Sequence, residues 1–148
     1  MISESAFKTE LEKFCNPRSP NYQGDPKTKS EAIQRANQGW GNALYECAKN
    51  ISPVSTNANA AKTAFLGVVG TEAMTLEILQ QAVSQFALKL GQGMSGYNPT
   101  PPTTPLMLSS SVTDYDSNCS QIANQVCNWL RTGQSTLLVP PNTIEPWL

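Results

Sequence analysis

The side chains able to do chemistry in this sequence are few, and their spacing argues against a reaction centre. Histidine is absent from the 148 residues, which removes the commonest general base, the Ser-His and Cys-His nucleophile pairs and every histidine-containing metal site. Four cysteines remain, Cys15, Cys47, Cys119 and Cys127, with no C-x-x-C pair among them. Cys119 and Cys127 stand on one expected helix, roughly 12 Å apart along its axis, too far to join each other. All four read as small apolar core residues in a reducing compartment. Asp114 and Asp116, at i and i+2, could begin a cation site, but at a Ser/Asp-rich helix start such residues serve as caps. Glu72 and Glu77 do not share a helical face well and make no carboxylate pair. Gly91-x-Gly93-x-x-Gly96 has the letters of a dinucleotide fingerprint, yet it follows an expected helix and leads into prolines. That motif needs a strand before it and a helix after. The expectation is a non-enzymatic chain with no catalytic, cofactor-binding or metal-binding residue.

The elements that carry these residues are mostly helical. Ser3 can cap a helix from Glu4 to Cys15, with Phe7, Leu11 and Phe14 on one face and Glu4 and Lys13 placed to suit the helix dipole. Residues 16–27 hold three prolines and one glycine and read as a loop. Thr28-x-x-Glu31 is a capping box, and Ile33, Ala36, Trp40, Leu44, Cys47 and Ile51 then form one helical stripe. Gly39 and Gly41 flank Trp40 at a cost of about 1 kcal/mol each relative to Ala. Either another backbone approaches closely there or the helix is loose. Thr56 or Asn57 can cap a third helix, which Gly70 interrupts. Thr71 then starts the most apolar helix, buried on most sides, and Gly91 would stop it. Asp114 or Asp116 caps a last helix whose apolar face is Cys119, Ile122, Ala123, Val126, Cys127, Trp129 and Leu130, with Gly133 after its end.

Between the last two helices lies Gly91–Val112, uncharged throughout and carrying Pro99, Pro101, Pro102 and Pro105. Residues 98–112 could span on the order of 45 Å if fully extended. The fold class expected is all-α: a small bundle of four to five helices with a long proline-rich extended crossover and an extended C-terminal tail. A single domain, 1–148, would comprise a short helix (1–15), the main helices (28–91), the arm (92–112), the last helix (113–133) and the tail (134–148). The last helix is too short to fold alone, so the arm is read as a crossover on protein surface and not as a linker between domains.

Ten basic and eleven acidic side chains give a net charge of −1, which excludes an electrostatic case for nucleic acid. Thirteen of those charges fall in residues 1–49. The remainder is under-charged for a surface wholly in water and suits either subunit contact or an Asn/Thr-rich solvated face. Residues 1–14 do not read as a signal peptide and no apolar run reaches the ~18 residues of a membrane span, so a soluble intracellular product without membrane contact is expected. The proline run has spacings used by ligands of aromatic grooves, without the flanking basic residue. Trp147, a large aromatic on the tail, is either packed on its own domain or anchored in a partner. The candidate interface residues are Tyr97, Pro99, Pro101, Pro102, Pro105, Leu106, Leu138, Pro140, Ile144 and Trp147.

Helical segments leading to Gly91-x-Gly93-Met94, a proline-rich run ending near Leu106, a helix closing in Trp129-Leu130-Arg131-Thr132-Gly133, and Leu138-Val139-Pro140-Pro141-Asn142-Thr143-Ile144 before Pro146-Trp147 together resemble small virion structural proteins of tailed bacteriophages. The resemblance covers roughly residues 60–148. It implies a non-enzymatic subunit of tail, neck or baseplate, made in the host cytoplasm and carried in the virion, whose partners are other virion proteins and copies of itself. A capsid decoration or cement protein and a small host-directed binding protein are the alternatives.

Overall fold

Short polar side chains set where the helices begin. Ser3 Oγ accepts from Ala6 N at 3.2 Å and opens α1, Glu4–Cys15. Thr28 Oγ1 accepts from Glu31 N at 3.1 Å and opens α2, Lys29–Ala48, while Glu31 reaches back to Lys27 N. Helix α3, Ala58–Val69, begins without a side-chain cap. Thr75 Oγ1 accepts from Ile78 N at 3.2 Å ahead of α4, Leu76–Gln92. Asp114 Oδ1 accepts from Ser117 N at 3.0 Å ahead of α5, Tyr115–Leu130. Each cap satisfies an amide that the helix itself leaves unpaired.

This computed structural model describes all 148 residues: five helices, about half of the chain, and a three-stranded antiparallel sheet. The all-α expectation is corrected by that sheet, made from the stretches read as extended arm and tail. Strand β1, Tyr97–Thr100, pairs with β2, Gln134–Leu137, in the register Tyr97↔Leu137. Strand β2 pairs with β3, Ile144–Pro146, in the register Thr136↔Ile144. Strands of three or four residues, two of them containing proline, carry little strand signal, and β1 and β2 pair across more than thirty positions of chain. The arm therefore has two halves. Its first half is an outer strand, and residues 101–113 form an irregular crossover.

In the bundle, α1 packs on α2 and α5, α2 on α3, and α3 on α4. One core unites them, including Phe7, Leu11, Leu44, Phe65, Phe86 and Leu130. Phe7 meets Trp40 edge-on with ring centroids 5.5 Å apart. Gly39 admits the Phe14 ring, which a Cβ would overlap, and Gly41 admits Leu66. The close approach beside Trp40 thus comes from side chains of α1 and α3 and not from backbone.

Two expectations for α4 are corrected. It starts at Leu76 and not Thr71, because Asn37 Nδ2 donates to the carbonyls of Gly70 and Glu72 (3.2 and 3.0 Å) and holds 70–75 as a loop. It is also buried on one broad face only; Gln81, Ser84, Gln85, Leu88 and Lys89 are exposed. Gly91 lies inside the helix, which ends one residue later.

Trp147 is the largest wholly buried side chain. Its indole lies over Gly133, where a Cβ would come within 2.5 Å of Cδ2, and against Gly91, where one would come within 3.1 Å of Cζ2 and 2.8 Å of Pro99 Cβ. Neither glycine is among the residues with positive φ, so both are needed for space and not for backbone conformation. That corrects their reading as helix-stopping residues. Trp147 Nε1 donates to Ser135 Oγ at 2.9 Å, and that hydroxyl donates in turn to Met94 Sδ, so the buried polar atoms are satisfied. Backbone bonds run both ways between Ser52 and Leu148 at 2.9 Å and fasten the tail to the α2–α3 connection.

Gly133→Ala is expected to destabilise the protein by about 1–3 kcal/mol through overpacking against Trp147. Gly67→Ala, on α3 with no atom within 4 Å of the added methyl, is expected to stabilise it by about 0.5–1 kcal/mol. Urea unfolding of the two variants beside the parent checks both signs.

Candidate functional site

The chemistry-bearing residues are dispersed and structurally employed. Asp114 is the α5 cap, and Asp116 pairs with Lys8 of α1 at 2.9 Å. Glu72 is exposed in the 70–75 loop and Glu77 in the first turn of α4. Glu12, the most buried carboxylate, accepts from Ser19 Oγ and Asn21 Nδ2 at 2.9 and 3.2 Å, tying the 16–27 loop to α1. Arg131, just past α5, donates to Glu4 Oε1 at 2.8 Å and to the Ile2 carbonyl. Its guanidinium holds the Glu4 carboxyl below the usual carboxylate range. No three Cys, Asp or Glu side chains gather where they could share a metal ion.

The cysteines form contacts that the sequence did not disclose. Cys47 of α2 and Cys127 of α5 are fully buried with their sulfurs 3.1 Å apart. Their separation in sequence hides this; only the apolar stripes of the two helices could have hinted at it. The neighbouring Cys47 thiol, together with burial, pushes the Cys127 thiol far up. Burial raises Cys15 to about 12 and Cys119 to about 11. Raised thiols of this kind are the opposite of an activated nucleophile, which needs a depressed value.

The candidate interface residues divide into three groups. Trp147 and Leu106 are wholly buried in their own chain; this corrects their assignment as contact residues, since the core leaves no atom of either for a partner. Pro99, Pro101 and Pro102 are half-buried, Pro99 directly against Gly91. Tyr97 is half-buried with its hydroxyl donating to the Glu145 carboxylate at 3.2 Å. Pro105, Leu138, Pro140 and Ile144 are exposed.

The crossover lies on its own helices. Trp129 Nε1 donates to Thr104 O at 2.7 Å and Gln80 Nε2 to Leu106 O at 2.9 Å. Gln125 bonds both backbone groups of Ser109, and Gln121 bonds Ser111. Side-chain amides of α4 and α5 thus stand in for strand partners that the segment lacks.

The exposed residues that do converge are at the turn between β2 and β3. Leu138, Val139 and Ile144 are 60, 64 and 61 % exposed, with Pro140 and Pro141 exposed between them. The backbone beneath them is tied down. Leu138 N donates to Gly96 O, Leu137 N to Thr143 O, and Asn142 closes the turn at φ 57° with its Nδ2 on Leu137 O. Asparagine adopts this left-handed conformation more readily than most residues. Sequence reasoning omitted Val139 and Pro141, although both belong to the same uncharged run. Scattered exposed apolar residues are ordinary, but several held together at one turn form the kind of patch that marks a contact.

Two outcomes check these assignments. Iodoacetamide at about pH 8 is expected to leave all four thiols largely unmodified in the folded protein and to label them once it is unfolded, as read by mass spectrometry. The Glu4 carboxyl, depressed when folded, contributes stability above its ordinary range that is lost as pH falls through its folded value. Glu4→Gln is therefore expected to lower the urea midpoint at about pH 7 and to leave it unchanged at about pH 2.

No protein-family model matches the chain, and no curated protein or solved structure is found to be similar to it.

Proposed function

We propose that this chain is a non-enzymatic structural subunit that docks into a larger assembly through the tip of its β2–β3 turn, and that the assembly is the tail, neck or baseplate of a tailed-phage particle. The observation that carries the docking surface is the patch of Leu138, Val139, Pro140, Pro141 and Ile144, solvent-exposed on a backbone fixed by hydrogen bonds. A preordered apolar patch loses little conformational entropy on association. Arg131 and Glu145 are the only charges from residue 131 onward, so a partner meets little charge to desolvate. Placement in a phage particle rests on the sequence resemblance of residues 60–148. In this reading the proline-rich crossover is a strap on its own bundle, Pro105 an exposed residue of that strap, and the turn reaches the neighbour.

Light scattering of the purified chain, alone and mixed with tail and capsid components, tests the docking surface. Self-association or binding to tail components is expected, and Leu138→Asp with Ile144→Asp is expected to weaken it at least tenfold while leaving the urea midpoint nearly unchanged, because truncating buried interface anchors costs about 2 kcal/mol or more. A strict monomer binding no particle component would overturn the proposal, and cosedimentation with capsid lattice alone would favour the decoration reading. Mass spectrometry of purified particles reads presence and copy number together; a chain found in infected cells and missing from particles contradicts the virion assignment.

A further inference from the structure

Away from the sheet, the C-terminal end of α1, the 16–27 loop, the first half of α2 and the 70–75 loop line a cleft of about 500 Å³ that opens to solvent, within the range of small-molecule sites. Its walls are mainly apolar and include Phe14, Ile33, Trp40 and Met74. Phe14 is held by its contact with the Gly39 backbone, and Trp40 by its edge-on contact with Phe7, so the aromatic walls are fixed by packing outside the cavity. The charged and phenolic side chains lining it are already engaged. Tyr22 donates to Asp25 at 2.8 Å, and Arg35 donates to Glu31 at 2.7 Å and to the Gly24 carbonyl at 2.6 Å.

Asn37 is different. It lines the same cavity, is 2 % exposed, and spends its Nδ2 on the Gly70 and Glu72 carbonyls. Its Oδ1 is the only buried side-chain oxygen or nitrogen in the chain without a hydrogen-bond partner. Those two carbonyls fix which end of the amide is nitrogen, since only the NH₂ end can donate to them. What is left is one unpaired buried acceptor on a residue of the cavity wall.

We propose that this cavity is a binding site for a small uncharged aromatic molecule bearing one N–H or O–H donor, the ring lying among Phe14, Ile33, Trp40 and Met74 and the donor reaching Asn37 Oδ1. An anion would meet an acceptor and a guanidinium already paired with Glu31. A cation would lose its hydration shell with only one neutral acceptor to replace it. A neutral donor satisfies the orphaned oxygen and leaves apolar surface against apolar surface.

Indole is the probe, with benzofuran as the isostere that lacks the donor. Titration of the full chain by two-dimensional amide NMR is expected to give saturable shifts at the Asn37 side-chain amide, the Trp40 indole and Met74. Benzofuran is expected to bind about five- to tenfold more weakly, the factor that one neutral hydrogen bond supplies. Ala36→Phe, from the α2 wall, should fill the cavity and abolish indole binding while circular dichroism shows a retained helical signal. Ala32→Phe serves the same purpose if the first variant does not fold. Absence of saturable shifts, equal affinity for the two probes, shifts clustered away from Trp40, or undiminished binding by a folded filled variant would each overturn the proposal. So would a crystal soaked in indole that shows only ordered water on Asn37 Oδ1.

Discussion

The indole of Trp147 lying flat on two backbones is the contact on which the rest of the architecture depends. Its six-membered ring occupies the space that side chains at Gly133 and Gly91 would fill, so the start of β2 and the end of α4 are joined by one ring and not by each other. Removing a buried Trp typically costs about 3–5 kcal/mol, a large share of the stability of a domain this size. The ring also justifies a polar arrangement that would otherwise be costly: Ser135 sits wholly buried because it accepts from the indole and donates to Met94. With that contact made, the tail is already aligned to exchange backbone bonds with Ser52. The sheet follows from it, since β3 leads directly into the residue that is anchored.

The helices were legible wherever their information is local. Ser3, Thr28 and Asp114 cap their helices, and most of the apolar faces expected for α1 and α5 are buried; of the α2 stripe, Trp40, Leu44 and Cys47 are buried, Ile33 and Ala36 half-buried, and Ile51 lies past the helix end. What escaped is nonlocal. Each strand has only three or four residues, with prolines in β1 and β3; β1 finds β2 more than thirty positions along the chain, and the nearer β2–β3 pair is too short to show an alternating pattern. The glycines misled for a related reason. A glycine after an apolar helix reads as a stop signal, whereas Gly91 and Gly133 answer to a ring at position 147. The α4 start was lost to Asn37, whose amide captures two carbonyls more than thirty residues away.

The candidate contact residues show the same split. Residue type alone could not separate Leu106 and Trp147, which are core, from Leu138 and Ile144, which face solvent. The difference is whether a glycine or an apolar helix face lies opposite, and that is a property of the assembled fold. The under-charged C-terminal portion was legible as a departure from an ordinary surface, and its exposed large apolar residues are mostly scattered, from Val54 and Leu76 to Met107, with several close in sequence at the turn between β2 and β3. Because Ser135 and Trp147 anchor the strands on either side, side chains on the turn can vary without touching the core, which separates recognition from folding.

The placement of Trp147 also has a temporal side. A chain is made from its N-terminus, and Trp147 follows every helix of the bundle in that order. Until Trp147 is in place the space over Gly91 and Gly133 is unfilled, and β3, which leads into it, has no anchor to hold it beside β2. Native order therefore depends on a residue that comes after all five helices in the chain, and long-range contacts of that kind form slowly and leave apolar surface prone to aggregation meanwhile. Nascent chains cut short before residue 147 would carry all five helices and still lack the closed core, which makes synthesis through that position a checkpoint for any assembly that recognises the folded turn.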